Sequence, residues 1–305
     1  MPKTHQIPSN QTHDRWDNQI PPVLTIDPKD TVVFETQVAD AGQTPPGSTV
    51  EDLLSADPEK THTITGPVAV RGAGPGDVLS VRVDKLIPGD WDVNYAYPAA
   101  HNLGWLPEFC PEPSVTHFDI DREAGVARWG DEIAVPLRVH MGIMGVAPKE
   151  PGEFRTYAPG VFGGNMDCGE LVEGSTLYLP VQVEGALFST GDGHAAIGDG
   201  EINVTSVETS MTATLTFDLV PGKVIAEPEI ETEDLYITTA IGEDLDEAAK
   251  KAARFMIEFL MRERRMSRSD AYTLCSVAVD LKINQLVDVV MSVRAVLPKN
   301  VFRTW

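Results

Sequence analysis

The sequence predicts a mainly β fold with a smaller α+β part at its C-terminal end. Three observations carry this. Short runs rich in β-branched and aromatic residues recur through 1–225, with Gly and Pro turn signals about every ten residues, the spacing of a sandwich or barrel. Helical periodicity is confined to 245–279, and a strand-like run returns at 287–297.

The elements follow in order. Residues 1–22 read as an arm or edge strand ended by Pro21-Pro22, and 31–38 (TVVFETQV) as a strand. Residues 39–60 form a loop. A short strand at 68–70 precedes the turn Ala73-Gly74-Pro75-Gly76-Asp77, and 78–86 alternates apolar and polar residues as a half-buried strand does. Residues 90–113 read as an ordered loop that carries Trp91, Tyr95, Tyr97, Trp105 and Phe109 near the site. Strands are expected at 133–139 and 176–183, and a long strand or hairpin pair at 202–219. From Leu245 to Leu260 apolar residues recur every three or four positions. Acids (Glu243, Asp244, Asp246, Glu247) open this helix and Arg262, Arg264 and Arg265 close it, complementing its dipole. Ser267 and Asp270 make a capping box for a second helix through Val279.

Charge narrows the function. Lys and Arg number 24 against 46 Asp and Glu, a net charge of −22. Such a surface repels phosphate backbones and anionic lipid, so neither nucleic acid nor membrane is an expected partner. A small neutral substrate is indifferent to it. The polar N-terminal residues lack a secretory signal core, and no run approaches the ~18 apolar residues of a membrane span. Cys110, Cys168 and Cys275 are too few and scattered for a disulfide framework, so a reduced, cytoplasmic location is expected.

Residues 162–208 concentrate the chemistry. They contain Gly163-Gly164-Asn165-Met166-Asp167-Cys168, then Gly191-Asp192-Gly193-His194, then Gly198-Asp199-Gly200-Glu201, and end on Glu208. Carboxylates, an amide and an imidazole sit on glycine-rich corners between strand-like runs. Carboxylate with imidazole suits zinc or a similar divalent ion.

The run GGNMDCGELVEGSTLYLPVQVEGALFSTGDGHAAIGDGE strongly resembles the acetamidase/formamidase family. So do HTITGPVAVRGAGPGDVLSVRV and GIMGVAP ahead of it, in the same order. The resemblance implies hydrolysis of short aliphatic amides, a jelly-roll-like β-sandwich with an α/β subdomain, homo-oligomers and a divalent metal, zinc first and calcium second. It implies one domain over 1–305, β-rich over 1–225 and α/β from about 226. One departure stands out: Ile197 occupies a position where members often carry Gln, which bears on substrate choice.

Within that family reading, Asp167, His194 and Glu201 form the expected metal set, with His62 as a further ligand or proton shuttle. Asp192 is the carboxylate expected to orient His194. Asn165, with the Gly163 and Gly164 amides, is the candidate oxyanion donor. Glu208 and Glu35 are the candidate general bases. The plainer reading makes Asp167 and Asp192 turn residues and His194 a satisfied core histidine. Two rival functions stay open: a non-catalytic β-sandwich that binds small amides, and an amidase that uses Cys168 as nucleophile.

Overall fold

The computed structural model describes residues 1–302. A nine-stranded and an eleven-stranded sheet enclose one main core, as expected of a mainly β sandwich. In Thr31–Thr36, Val32, Phe34 and Thr36 face inward, the period-two pattern of a half-buried strand. Phe34, Phe188 and Phe217 meet at centroid distances of 5.1–6.2 Å, bridging the two sheets. Full burial of side chains of this size is worth roughly 1.5–3 kcal/mol each.

The nine-stranded sheet begins at the N-terminal strand Thr4–Ile7, which pairs in parallel with Thr31–Thr36. It continues through Met211–Leu219, Val78–Pro88 and Thr176–Pro180. Without a break it then takes in Glu229–Glu231, Leu235–Gly242, Met291–Pro298 and Asp280–Gln285. The C-terminal strands thus extend the sheet laid down by the first half of the chain.

Helix Leu245–Glu263 covers that extension. Asp244 caps it by accepting the Glu247 N–H at 2.8 Å. Its stripe Ala248, Ala252, Met256, Phe259 and Leu260 is buried against strands Leu235–Gly242 and Met291–Pro298. Ser267 caps helix Arg268–Ala278 through the Asp270 N–H, as the sequence predicts.

The second sheet holds the site. Its inner strands Ile64–Val70, His140–Val146 and Phe188–His194 are buried along their whole length. Gly191 allows their close approach, because a Cβ there would lie 2.8 Å from the Thr63 carbonyl oxygen.

Several expectations fail locally. The 202–219 stretch is strand only at Glu208–Thr209 and Met211–Leu219. Its first residues turn instead, with the Val204 N–H on the Glu201 carbonyl and Val204 at φ 79°. Residues 90–113 are not all loop: Trp91–Ala96 is a strand paired with Ser114–Asp121. The buried Asp92 breaks its alternation and hides it. Trp105 and Phe109 are 43% and 80% exposed. A short helix, Val50–Ser55, with a Thr49/Asp52 capping box, interrupts the loop expected at 39–60.

Candidate active site

Asp192 and His194 lie two apart on Phe188–His194, and both converge on one buried cluster. His140 stands opposite His194 on the neighbouring strand, and Glu208 pairs with His194 on the other edge. Asn165 pairs with Ile143, and two residues on the Asp167 N–H reaches the Gly142 carbonyl at 3.3 Å. Gly142 sits where these side chains meet. A Cβ on it would lie 2.5 Å from Asp192 Oδ2, 2.6 Å from Asp167 Oδ1 and 2.8 Å from His194 Cε1. Only glycine leaves that volume free.

Four of the residues hold left-handed backbone: His62 at φ 56°, Asp167 at 46°, Asp192 at 56° and Glu201 at 47°. Each such non-glycine residue costs of order 1–3 kcal/mol, a strain that concentrates at functional sites. Here it turns three carboxylates inward.

The hydrogen-bond chain fixes the His194 tautomer. The Arg138 carbonyl can only accept, so His140 Nδ1 carries the proton in their 2.7 Å bond. His140 Nε2 is then an acceptor and takes the His194 Nδ1–H at 3.2 Å. Neutral His194 therefore turns the lone pair of Nε2 toward Asp192 Oδ1 and Glu208 Oε2, each 3.3 Å away. Lone pair against two carboxylates is unstable unless a proton or a metal cation lies between them.

The wider cluster makes the same demand. His194 is 1% exposed, and Asp167, Asp192, Glu201, Glu208 and Asp288 are all buried. Burial, then the charges of Glu201 and Asp288, push the Asp167 carboxyl well up. Burial likewise raises Glu201 and Glu208, and takes Asp288 to about 7. Burial would raise Asp192 too, but the His194 charge and hydrogen bond outweigh it and hold that carboxyl low. His194 is itself raised, because Glu208 and Asp192 overcome its burial. Burial, reinforced by His194, lowers His140 to about 3. Both Asp167 oxygens, Asn165 Oδ1, Glu208 Oε2 and His194 Nε2 have no hydrogen-bond partner. Orphaned buried acceptors around an imidazole lone pair fit a divalent cation. Two groups have ligand atoms mutually within 4.8 Å: Asp167, His194 and Glu201, and Asp192, His194 and Glu208.

The acetamidase/formamidase family model matches residues 2–153 and 150–304. The chain belongs to the acetamidase/formamidase family. A solved acetamidase structure from Bacillus halodurans superposes with a TM-score of 0.91 at 32% identity, over 97% of this chain and 98% of that one. Among curated relatives, the formamidase of Methylophilus methylotrophus is 26% identical and the acetamidase of Mycolicibacterium smegmatis 25%, each over 63% of this chain. These matches span only 60% and 61% of the relatives' own lengths.

Of the residues the resemblance points to, the structure brings Asp167, Asp192, His194, Glu201 and Glu208 into one cluster. His62 stands beside it. Burial lowers its pKa, partly offset by Asp192, and its Nδ1 has no partner. Asn165 is in the cluster but cannot donate to an oxyanion, because its Nδ2 already serves the Tyr157 carbonyl and Asp288 Oδ2, both at 3.0 Å. The Gly163 N–H is likewise taken, by the Gly160 carbonyl at 2.9 Å. Glu35 is elsewhere. It alternates out of the core, accepts from Gln6 Nε2 at 2.7 Å and lines a surface cleft with Arg122 and Ser210.

Cys168 is 0% exposed and sits in the main core. Burial, then the Glu170 charge, push its thiol up to about 12, so it is no ready nucleophile. Ile197 lines a cleft of about 360 Å³ beside Glu201, together with Asn94, Ser206 and Val207.

Three residues lie outside the quoted motifs, His140, Asp288 and Arg294, and Gly142, which opens GIMGVAP, has no role that the motif itself announces. Arg294 is 0% exposed and ties two loops together. It lies 2.7 Å from Glu170, just after Asp167, and 2.7 Å from Asp199, just before Glu201.

Proposed function

We propose that the protein hydrolyses small aliphatic amides, formamide and acetamide foremost, to ammonia and the carboxylic acid. The observation that carries this is the buried carboxylate cluster around His194 Nε2, with its acceptor atoms unpartnered, in a chain of this family.

His194 Nε2, Asp192 and Glu208 would hold the divalent ion, zinc first and calcium second, since the other ring nitrogen is committed to His140. Such an ion, when bound, polarises a carbonyl and acidifies water. Ser206 donates from both N–H (2.7 Å) and Oγ (3.0 Å) to Glu208 Oε1, which fixes the carboxylate and leaves Oε2 toward His194. Glu201 borders the cleft through which a small amide can approach. Burial raises the pKa of its carboxyl, the direction that suits a group delivering a proton to the departing nitrogen. Exclusion of water from the cluster strengthens each of these interactions.

A homo-oligomer in the cytoplasm, implied by the family resemblance and the reduced cysteines, belongs to the same reading. Light scattering checks its assembly.

The experiment is ammonia release from formamide and acetamide before chelation, after it, and after metal add-back, with bound metal measured in parallel. Loss on chelation and recovery with metal are expected. Asp192→Asn and Glu208→Gln should lose more metal than Asp167→Asn and Glu201→Gln. Undiminished turnover in metal-free protein would refute the metal assignment.

A further inference from the structure

Asn165 is 1% exposed, and its orientation is forced. Its Nδ2 donates to the main-chain carbonyl of Tyr157 and to Asp288 Oδ2. A backbone carbonyl can only accept, so an amide turned the other way would set oxygen against oxygen. Asn165 Oδ1 therefore faces away from both and has no partner. It is a buried, oriented acceptor at the edge of the carboxylate cluster, where leaving it unsatisfied is costly.

Asp288 comes from a distant part of the chain, the turn between Asp280–Gln285 and Met291–Pro298. That turn is built to aim it. Gln285 Oε1 accepts the N–H groups of Val287 (2.8 Å) and Asp288 (3.0 Å), and its Nε2 donates to the Val290 carbonyl at 2.9 Å. The next residue, Val289, holds φ 60° and is 81% exposed. A β-branched residue in left-handed backbone is a genuine outlier. With its side chain in solvent, packing of Val289 does not account for it. The conformation serves its neighbour, which is 7% exposed and lies beside Asp167.

We infer that Asn165 Oδ1 is the acceptor that reads the –NH2 group of the substrate, and that Asp288 is the positioning residue that holds it there. The inference rests on the amide-hydrolase reading and names its specificity device. A primary amide brings N–H donors to Oδ1. An ester of the same size brings none and leaves the acceptor unpaired, so a site of this kind discriminates against it.

The test compares acetamide with methyl acetate in wild type, Asn165→Ala and Asp288→Leu, with melting temperatures as a folding control. Each variant should lower the amide-over-ester ratio of kcat/KM at least about tenfold, the effect of one hydrogen bond, chiefly by raising KM for the amide. Asp288→Leu removes the oxygen that accepts from Asn165 Nδ2 with little change of shape, so it carries the test if Asn165→Ala fails to fold. Wild-type turnover of the amide with an unchanged ratio in the variants overturns this inference alone. Wild type inert toward acetamide overturns the amidase reading and this inference with it.

Discussion

His194 Nδ1 lies 3.2 Å from His140 Nε2, and this contact decides which nitrogen of His194 is free. Since His140 Nδ1 is anchored on the Arg138 carbonyl, the proton order along the chain has one solution, and Nε2 faces the carboxylates.

His140→Leu should therefore lower kcat by about 10–100-fold, the usual cost of losing a residue that orients a ligand. His140→Gln, which can still accept from Nδ1–H, should retain more activity. Steady-state kinetics with a melting curve for each variant checks this. Equal activity in Leu and Gln variants would show that the acceptor does not matter.

Gly142→Ala should be disproportionately damaging. Its methyl would overlap Asp192, Asp167 and His194, and overpacking of this kind costs roughly 1–3 kcal/mol. Activity should fall with stability. Gly198→Ala, where a Cβ meets nothing within 4 Å, is the control expected to melt like wild type. Indistinguishable melts for the two variants would mean that the central volume is not as tight as the contacts indicate.

The fold was largely readable because the patterns that announce it are local. The alternation in Thr31–Thr36, the helical stripe of Leu245–Glu263 and the Ser267 cap each follow from a few consecutive residues. The Asp167, Asp192, His194, Glu201 and Glu208 set was readable because glycine corners flank most of these residues. Asp288 and Arg294 were not. They reach the site from a hairpin some ninety residues beyond Glu201, and no local signal marks a residue whose role is set by a long-range contact. The orientation of Asn165 is hidden from the motif for a related reason: which end of its amide is free depends on Tyr157 and Asp288, partners far from or outside the motif.

Asp92 predicts a pH dependence of stability. It is 0% exposed, neither carboxyl oxygen has a partner, and burial pushes it to about 8. Its folded pKa is above the unfolded value, so the folded state binds the extra proton. Its contribution to stability is present at low pH and is lost as pH rises from about 4 to about 8, by up to about 1.4 kcal/mol per pH unit. Asp92→Asn should lack this loss and gain on wild type between pH 6 and 8.5 in urea denaturation. Parallel curves for the two proteins would remove Asp92 as the cause.

Cys168→Ala should keep activity within a few-fold of wild type and lose about 1 kcal/mol of stability, since the thiol is a buried packing group. Kinetics and chemical denaturation decide this. Abolished turnover in a folded Cys168→Ala protein would restore the thiol as nucleophile.

The most direct measurement is ammonia release from formamide and acetamide by metal-replete wild type and by His194→Ala, with folding of the variant verified by circular dichroism. Release by wild type and none above background by the variant is the expected result. Ammonia from neither protein, or equal rates from both, would contradict the assignment of amide hydrolysis to the His194 cluster.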